Sequence, residues 1–209
     1  MQRRQFLLAG SAVAAFPFIG GLARAQDTSA ASSSSDSSSA EAGNPGDRYY
    51  TKDEVLHAGS NFLGVTVEAL GGAMERIFAD YGDHPTAYIA GEELSGAVGV
   101  GLRYGKGLLY MKDETDPLHL FWQGPSIGFD TGGNASRVFT LVYNLKDPIF
   151  MYRRFPGVEG SAYFIGGLGV TYQRAEGIVL APIRAGVGFR LGANVGYMSF
   201  SKKRRFFPL

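Results

Sequence analysis

Few side chains in this 209-residue chain are placed to do chemistry. Gly124, Pro125, Ser126, Ile127 and Gly128 spell G-x-S-x-G, the pattern in which a strand-to-helix elbow lifts a nucleophilic serine above its sheet. The residues that follow, Asp130, Thr131, Gly132 and Gly133, lead into no helix, and the three histidines, His57, His84 and His119, lie in no triad context. In a chain with 30 glycines so short a pattern arises readily by chance. A serine hydrolase using Ser126 is therefore kept only as an alternative. Asp130, Thr131 and Gly132 also spell the aspartic-protease tripeptide, but that chemistry needs two carboxylates sharing a proton, so one copy would require a homodimer built around it. The histidines are far apart, and no His/Asp/Glu cluster has ligand spacing, so no metal site and no cofactor are expected. The absence of cysteine excludes thiol catalysis, disulfide exchange and cysteine metal sites.

The run Lys202, Lys203, Arg204 and Arg205, followed by Phe206 and Phe207, is a different kind of candidate. Four cations beside two aromatic rings could hold anionic lipid headgroups or lipopolysaccharide phosphates, with the rings at the interface. The plainer reading is a solvated strand end whose phenylalanines pack back on the core.

The chain opens with Arg3 and Arg4, continues through small and apolar residues, and reaches Ala23, Arg24 and Ala25. This is the order of a secretory signal peptide, expected to be cleaved after Ala25, and the arginine pair followed by Gln5, Phe6 and Leu7 adds a twin-arginine export signature. Gly10, Pro17, Gly20 and Gly21 make the same stretch a poor membrane-spanning helix. Residues 26–47 are rich in Ser and Ala, have no large apolar side chain, and should form a flexible tether. The formal charge of the whole chain is +1; loss of Arg3, Arg4 and Arg24 takes it to −2, and leaving out Asp27, Asp36, Glu41 and Asp47 brings residues 48–209 to +2. Near-neutrality gives no nucleic-acid signal.

Residues 48–209 are expected to form one domain that is mainly β with helices, an α+β arrangement. Thr51 and Glu54 write a capping box for one helix. After a break near 59–64, Val67, Leu70, Met74, Ile77, Phe78 and Tyr81 recur at helical spacing and give a second helix an apolar stripe, stopped by Gly82 and Pro85. From Thr86 the pattern changes to short apolar segments at 86–90, 97–104, 108–112, 118–123, 137–143, 149–153, 162–172, 178–182, 185–191 and 195–200. The stretch 121–144 should be the middle of the sheet, with a strand ending near Trp122, a turn at Gly124, Pro125 and Ser126, and a second strand from Val138. Pro148 and Pro182 belong at strand ends or edges. Glycines inside strands point to sharp bends or close backbone approach, as in a small, strongly bent antiparallel barrel-like sheet covered by one or two N-terminal helices. Gly99, Val100, Gly101, Leu102, Arg103, Tyr104 and Gly105 are echoed by Gly186, Val187, Gly188, Phe189, Arg190, Leu191 and Gly192. Arg103 and Arg190 thus fall in phase, with Glu92, Glu93, Asp130 and Glu159 as candidate partners.

Five groups of residues, 88–93, 101–105, 122–130, 157–163 and 183–197, together resemble the EipA-type envelope integrity proteins of Gram-negative bacteria, and the resemblance runs from about Tyr50 to the end. It implies an exported periplasmic protein that supports the cell envelope, with ties to lipopolysaccharide O-polysaccharide, no established catalytic site, and a small barrel-like antiparallel sheet with helices. A second, partial resemblance runs from Gly99 through Trp122, Pro125 and Ser126 to Asn144 and is to the SYLF lipid-binding domains. It implies phospholipid association, with Trp122, Arg103, Lys106 and Arg184 as the residues to test; the plainer role for Trp122 is core packing. The expectation is a non-enzymatic envelope protein that contacts phospholipid or lipopolysaccharide. The alternative is a protein-interaction module, in which a glycine-rich edge strand pairs with another envelope protein.

Overall fold

The computed structural model describes residues 48–158, 161–185 and 196–205, with backbone alone at 97–100 and 126–134. The signal and tether, Glu159, Arg190, Phe206 and Phe207 lie outside them, as do the side chains of Ser126 and Asp130.

Two helices come first. In α1 (Lys52–Leu63) the Thr51 and Glu54 side chains cap one another's backbone amides as the capping box requires, and Gly64 ends the helix in the left-handed region at φ 71°. Helix α2 (Val67–Tyr81) is capped by Thr66 and buries Leu70, Ala73, Met74 and Ile77. Both helices pack against one face of the sheet, on Phe139, Leu141, Val170, Ala181 and Ile183.

The sheet is built on two long strands, β1 (Ala87–Met111) and β2 (Leu118–Tyr143), paired antiparallel from Ala87↔Val142 to Leu109↔Leu118 with a register shift between Ser95 and Ala97. The predicted turn at Gly124, Pro125 and Ser126 is not there. Backbone pairing runs straight through it, Arg103↔Gly124, Leu102↔Pro125 and Gly101↔Ser126. Gly124 has a different reason: a Cβ there would lie 2.2 Å from the Tyr197 carbonyl oxygen. The short segments predicted at 86–90, 97–104 and 108–112 merge into β1, and those at 118–123 and 137–143 merge into β2.

Six shorter strands complete the sheet: β3 (Arg154–Pro156), β4 (Tyr163–Ile165), β5 (Leu168–Val170), β6 (Gln173–Ala175), β7 (Ile178–Ala185) and β8 (Tyr197–Ser201). The first half of β2 pairs with β8 and the second half with β7, β8 continues to β3, and β7 to β5 and β6. A bridge between Gly157 and Gln173 joins the β3 end to β6. The wall therefore curls round until the two halves of β1 face each other across a seam. They meet at Gly91 and Gly107, where a Cβ on Gly91 would lie 2.4 Å from the Lys106 oxygen and one on Gly107 would lie 2.6 Å from the Ala90 oxygen. Tyr88 and Tyr110, 22 residues apart on the same strand, stack at 4.7 Å. Inside the curl lie Ile89, Leu109, Leu120, Trp122, Val138, Leu180, Met198 and Phe200.

Three other expectations are corrected. The segment predicted as a strand at 149–153 begins as a 3-10 turn (Pro148–Met151), because Asp147 caps it and Pro148 occupies its first position. Pro182 lies within the central strand β7, opposite Thr140, where the neighbour on the other side changes from β6 to β5. That interruption in the ladder is what tolerates it. The segment predicted at 162–172 divides into β4 and β5 around Gly166 and Gly167, both at positive φ.

Candidate functional site

Glu93 collects the polar side chains of the curl. Side chains alternate along β1, so Ile89, Gly91 and Glu93 turn inward while Glu92 stays in solvent. The Glu93 carboxylate is 2% exposed. Arg184 of β7 donates Nε to its Oε1 at 2.9 Å, and Trp122 of β2 donates Nε1 to its Oε2 at 3.0 Å. Arg103 Nε lies 3.2 Å from the same Oε1 without hydrogen-bond alignment, a contact of charges only. Arg184 also donates to Thr171 Oγ1 at 3.0 Å. Burial alone would raise the Glu93 carboxyl; Arg184 and then Arg103, helped by hydrogen bonds from Arg184 and Trp122, outweigh it and hold it below the usual carboxylate range. Burial pushes Arg103 downward, with Glu93 opposing. Two guanidinium groups on one carboxylate leave a net positive charge inside the wall.

Beyond the Gly91 and Gly107 contact a cleft of about 280 Å³ opens between the two halves of β1. Leu94, Tyr104, Phe121 and Ala135 line it, Trp122 and Glu93 back it, and Glu92, Lys106, Arg204 and Arg205 border it.

A second concavity, of about 620 Å³, is basic. The 3-10 turn and β8 bring Arg153, Arg154, Lys202, Lys203 and Arg205 together beside Ile149. Ile149, 53% exposed, stands in solvent at its edge, and Phe150, 42% exposed, lies under the Arg153 guanidinium, which is 5.5 Å from the ring centroid. Lys202 lies over Tyr152 and Arg154 over Tyr197, at 5.0 and 4.9 Å from the ring centroids. Arg153 pairs with Glu176, and Asp147 caps the turn, so the face carries acids as well as its larger set of cations.

The eight residues singled out from the sequence thus divide between two places. Trp122, Arg103 and Arg184 converge on Glu93, Lys106 stands at the cleft, and Lys202 and Lys203 belong to the basic face, while Arg205 borders both and Arg204 the cleft. Ile149, Phe150, Arg153 and Arg154 were missed, although Asp147 followed by Pro148 is a helix-start signal. The elbow that G-x-S-x-G chemistry needs is absent, because the backbone at Ser126 is extended and paired.

Residues 48–209 match the family described as Envelope integrity protein A. The chain belongs to this family. The fold agrees: a crystal structure of a beta-barrel-like, uncharacterized protein from Brucella abortus is 47% identical, with a TM-score of 0.69 over 78% of this chain and 99% of that one. No curated protein matches the sequence. In this member of the envelope integrity protein A family, no helix among the described residues is long and apolar enough to cross a membrane. The buried carboxylate, the seam cleft and the basic face all lie within the matched residues.

Proposed function

We propose that this chain supports the cell envelope from the periplasm without catalysing a reaction, by resting its basic face on anionic phospholipid or on lipopolysaccharide phosphates. Export would use the twin-arginine signal, cleavage after Ala25 would leave the tether at 26–47, and residues 48–209 would act as one domain. One observation carries the reading: Ile149 projects into solvent beside Arg153, Arg154, Lys202 and Lys203, and the exposed Phe150 ring lies under the Arg153 guanidinium. Apolar side chains flanked by cations suit the boundary between headgroups and acyl chains, where each cation contributes about 1 kcal/mol.

The test is co-sedimentation with anionic and neutral liposomes across a salt series. Binding to anionic vesicles alone, weakening as salt rises, is expected. Replacing Lys202 and Lys203 by Glu should lower partitioning at least thirtyfold, since roughly 2 kcal/mol is removed. No binding to anionic vesicles or to lipopolysaccharide at low salt would overturn the reading and leave a protein partner in the envelope as the alternative.

A further inference from the structure

The cleft at the β1 seam shares only Ser201 and Arg205 with the basic face, and its chemistry asks for a smaller ligand. We propose that it binds a single-chain anionic amphiphile, with the chain against Trp122, Phe121 and Leu94 and the head at Lys106 and Arg205. A volume of about 280 Å³ lies just below the usual span of small-molecule sites, about 300–1,000 Å³, and takes one chain more readily than the paired chains of a phospholipid. Leu94 is 56% exposed at the cleft, a large apolar surface that a bound chain would cover.

The charges select the sign of the head. Lys106 and Arg205 are exposed at the border, and Glu92 is the exposed carboxylate among the lining residues. Glu93 also faces the cleft, but Arg184, Arg103 and Trp122 already engage it. The border is therefore net positive over an apolar interior, complementary to a carboxylate or phosphate on an alkyl chain.

Trp122 is the single tryptophan of the chain and stands at the back of this cleft, so tryptophan emission comes from one known place beside the proposed ligand. The experiment titrates the purified protein with decyl phosphate, and separately with decyltrimethylammonium, each below its micelle-forming concentration, following tryptophan emission and, on the same samples, calorimetric heat. Saturable binding of decyl phosphate, at least tenfold tighter than of the cationic probe, is expected. Lys106→Glu combined with Arg205→Glu should weaken it roughly tenfold without moving the melting temperature. Ala135→Phe, which fills the cleft from an exposed position, should abolish it. No saturable response by either readout, or equal affinity for the two probes, would overturn the proposal. So would a response that appears only after residues 206–209 are deleted, which would assign the cleft to the chain's own apolar tail. Because the probes are monomers, failure here leaves the vesicle-binding reading intact, and the reverse also holds.

Discussion

Removing the Glu93 carboxylate would leave Arg103 and Arg184 facing one another with their shared counter-charge gone. Glu93→Gln should therefore destabilise the fold by roughly 3–5 kcal/mol, the usual cost of breaking a buried ion pair from one side, read as a lower urea midpoint. The pH dependence has a definite sign. Because the folded carboxyl is held below its ordinary value, its contribution is complete above the unfolded pKa of about 4.3 and is lost as pH falls toward the folded one. Glu54, lowered mainly by its hydrogen bond from Lys112, acts in the same direction from an exposed position. Wild-type stability should thus fall below about pH 4, and Glu93→Gln should flatten that slope. A variant with an unchanged slope would place the acid sensitivity elsewhere. Glu93 was legible as a candidate partner for Arg103, but nothing in the residue order separates it from Glu92. Inward alternation and the arrival of Arg184 from β7 make the difference.

The strands close because glycine sits where backbones meet. Gly91→Ala and Gly107→Ala each drive a methyl group into backbone atoms of the facing half-strand, at distances no side-chain shift can relieve. Each should cost about 1–3 kcal/mol or more. Gly96, beside the register shift, has nothing within 4 Å of an added Cβ, so Gly96→Ala should stay within about 0.5 kcal/mol of wild type or gain slightly. Thermal melts of the three variants test the seam directly, and equal losses at all three positions would refute it. Both helices were readable, since a capping box and a 3.6-residue stripe act within one element, although α1 continues through most of the break expected near 59–64 and ends at Leu63. The long strands were not: Gly124 and Pro125 look like a turn, yet at Gly124 the deciding fact is the Tyr197 carbonyl, 73 residues away in the chain.

Across the whole molecule, the basic face and the seam cleft share Arg205, so a protein seated on a membrane by the first would hold the second near the same surface. In the proposed reading, the N-terminal signal brings the chain to that surface. Arg3→Lys with Arg4→Lys should block export and leave uncleaved precursor in the cytoplasm, whereas the wild-type chain should yield a mature form beginning at Gln26. Cell fractionation with intact-mass measurement distinguishes the two, and normal export of the double variant would show that another route is used.

By itself the sequence determined what rests on neighbours along the chain: two capped helices, a β-rich remainder, glycine placed inside strands, and cations massed near the C-terminus. It also carries enough family-specific order for the envelope resemblance to be legible in residue order alone. Tertiary structure decided that five predicted segments are two long strands, that Pro182 fits within a central strand, that Asp147 and Pro148 start a turn and not a strand, and that Trp122, Arg103 and Arg184 share one carboxylate. Those outcomes depend on pairing and burial between residues tens of positions apart, where the free energy lies in the partner and not in the local propensity.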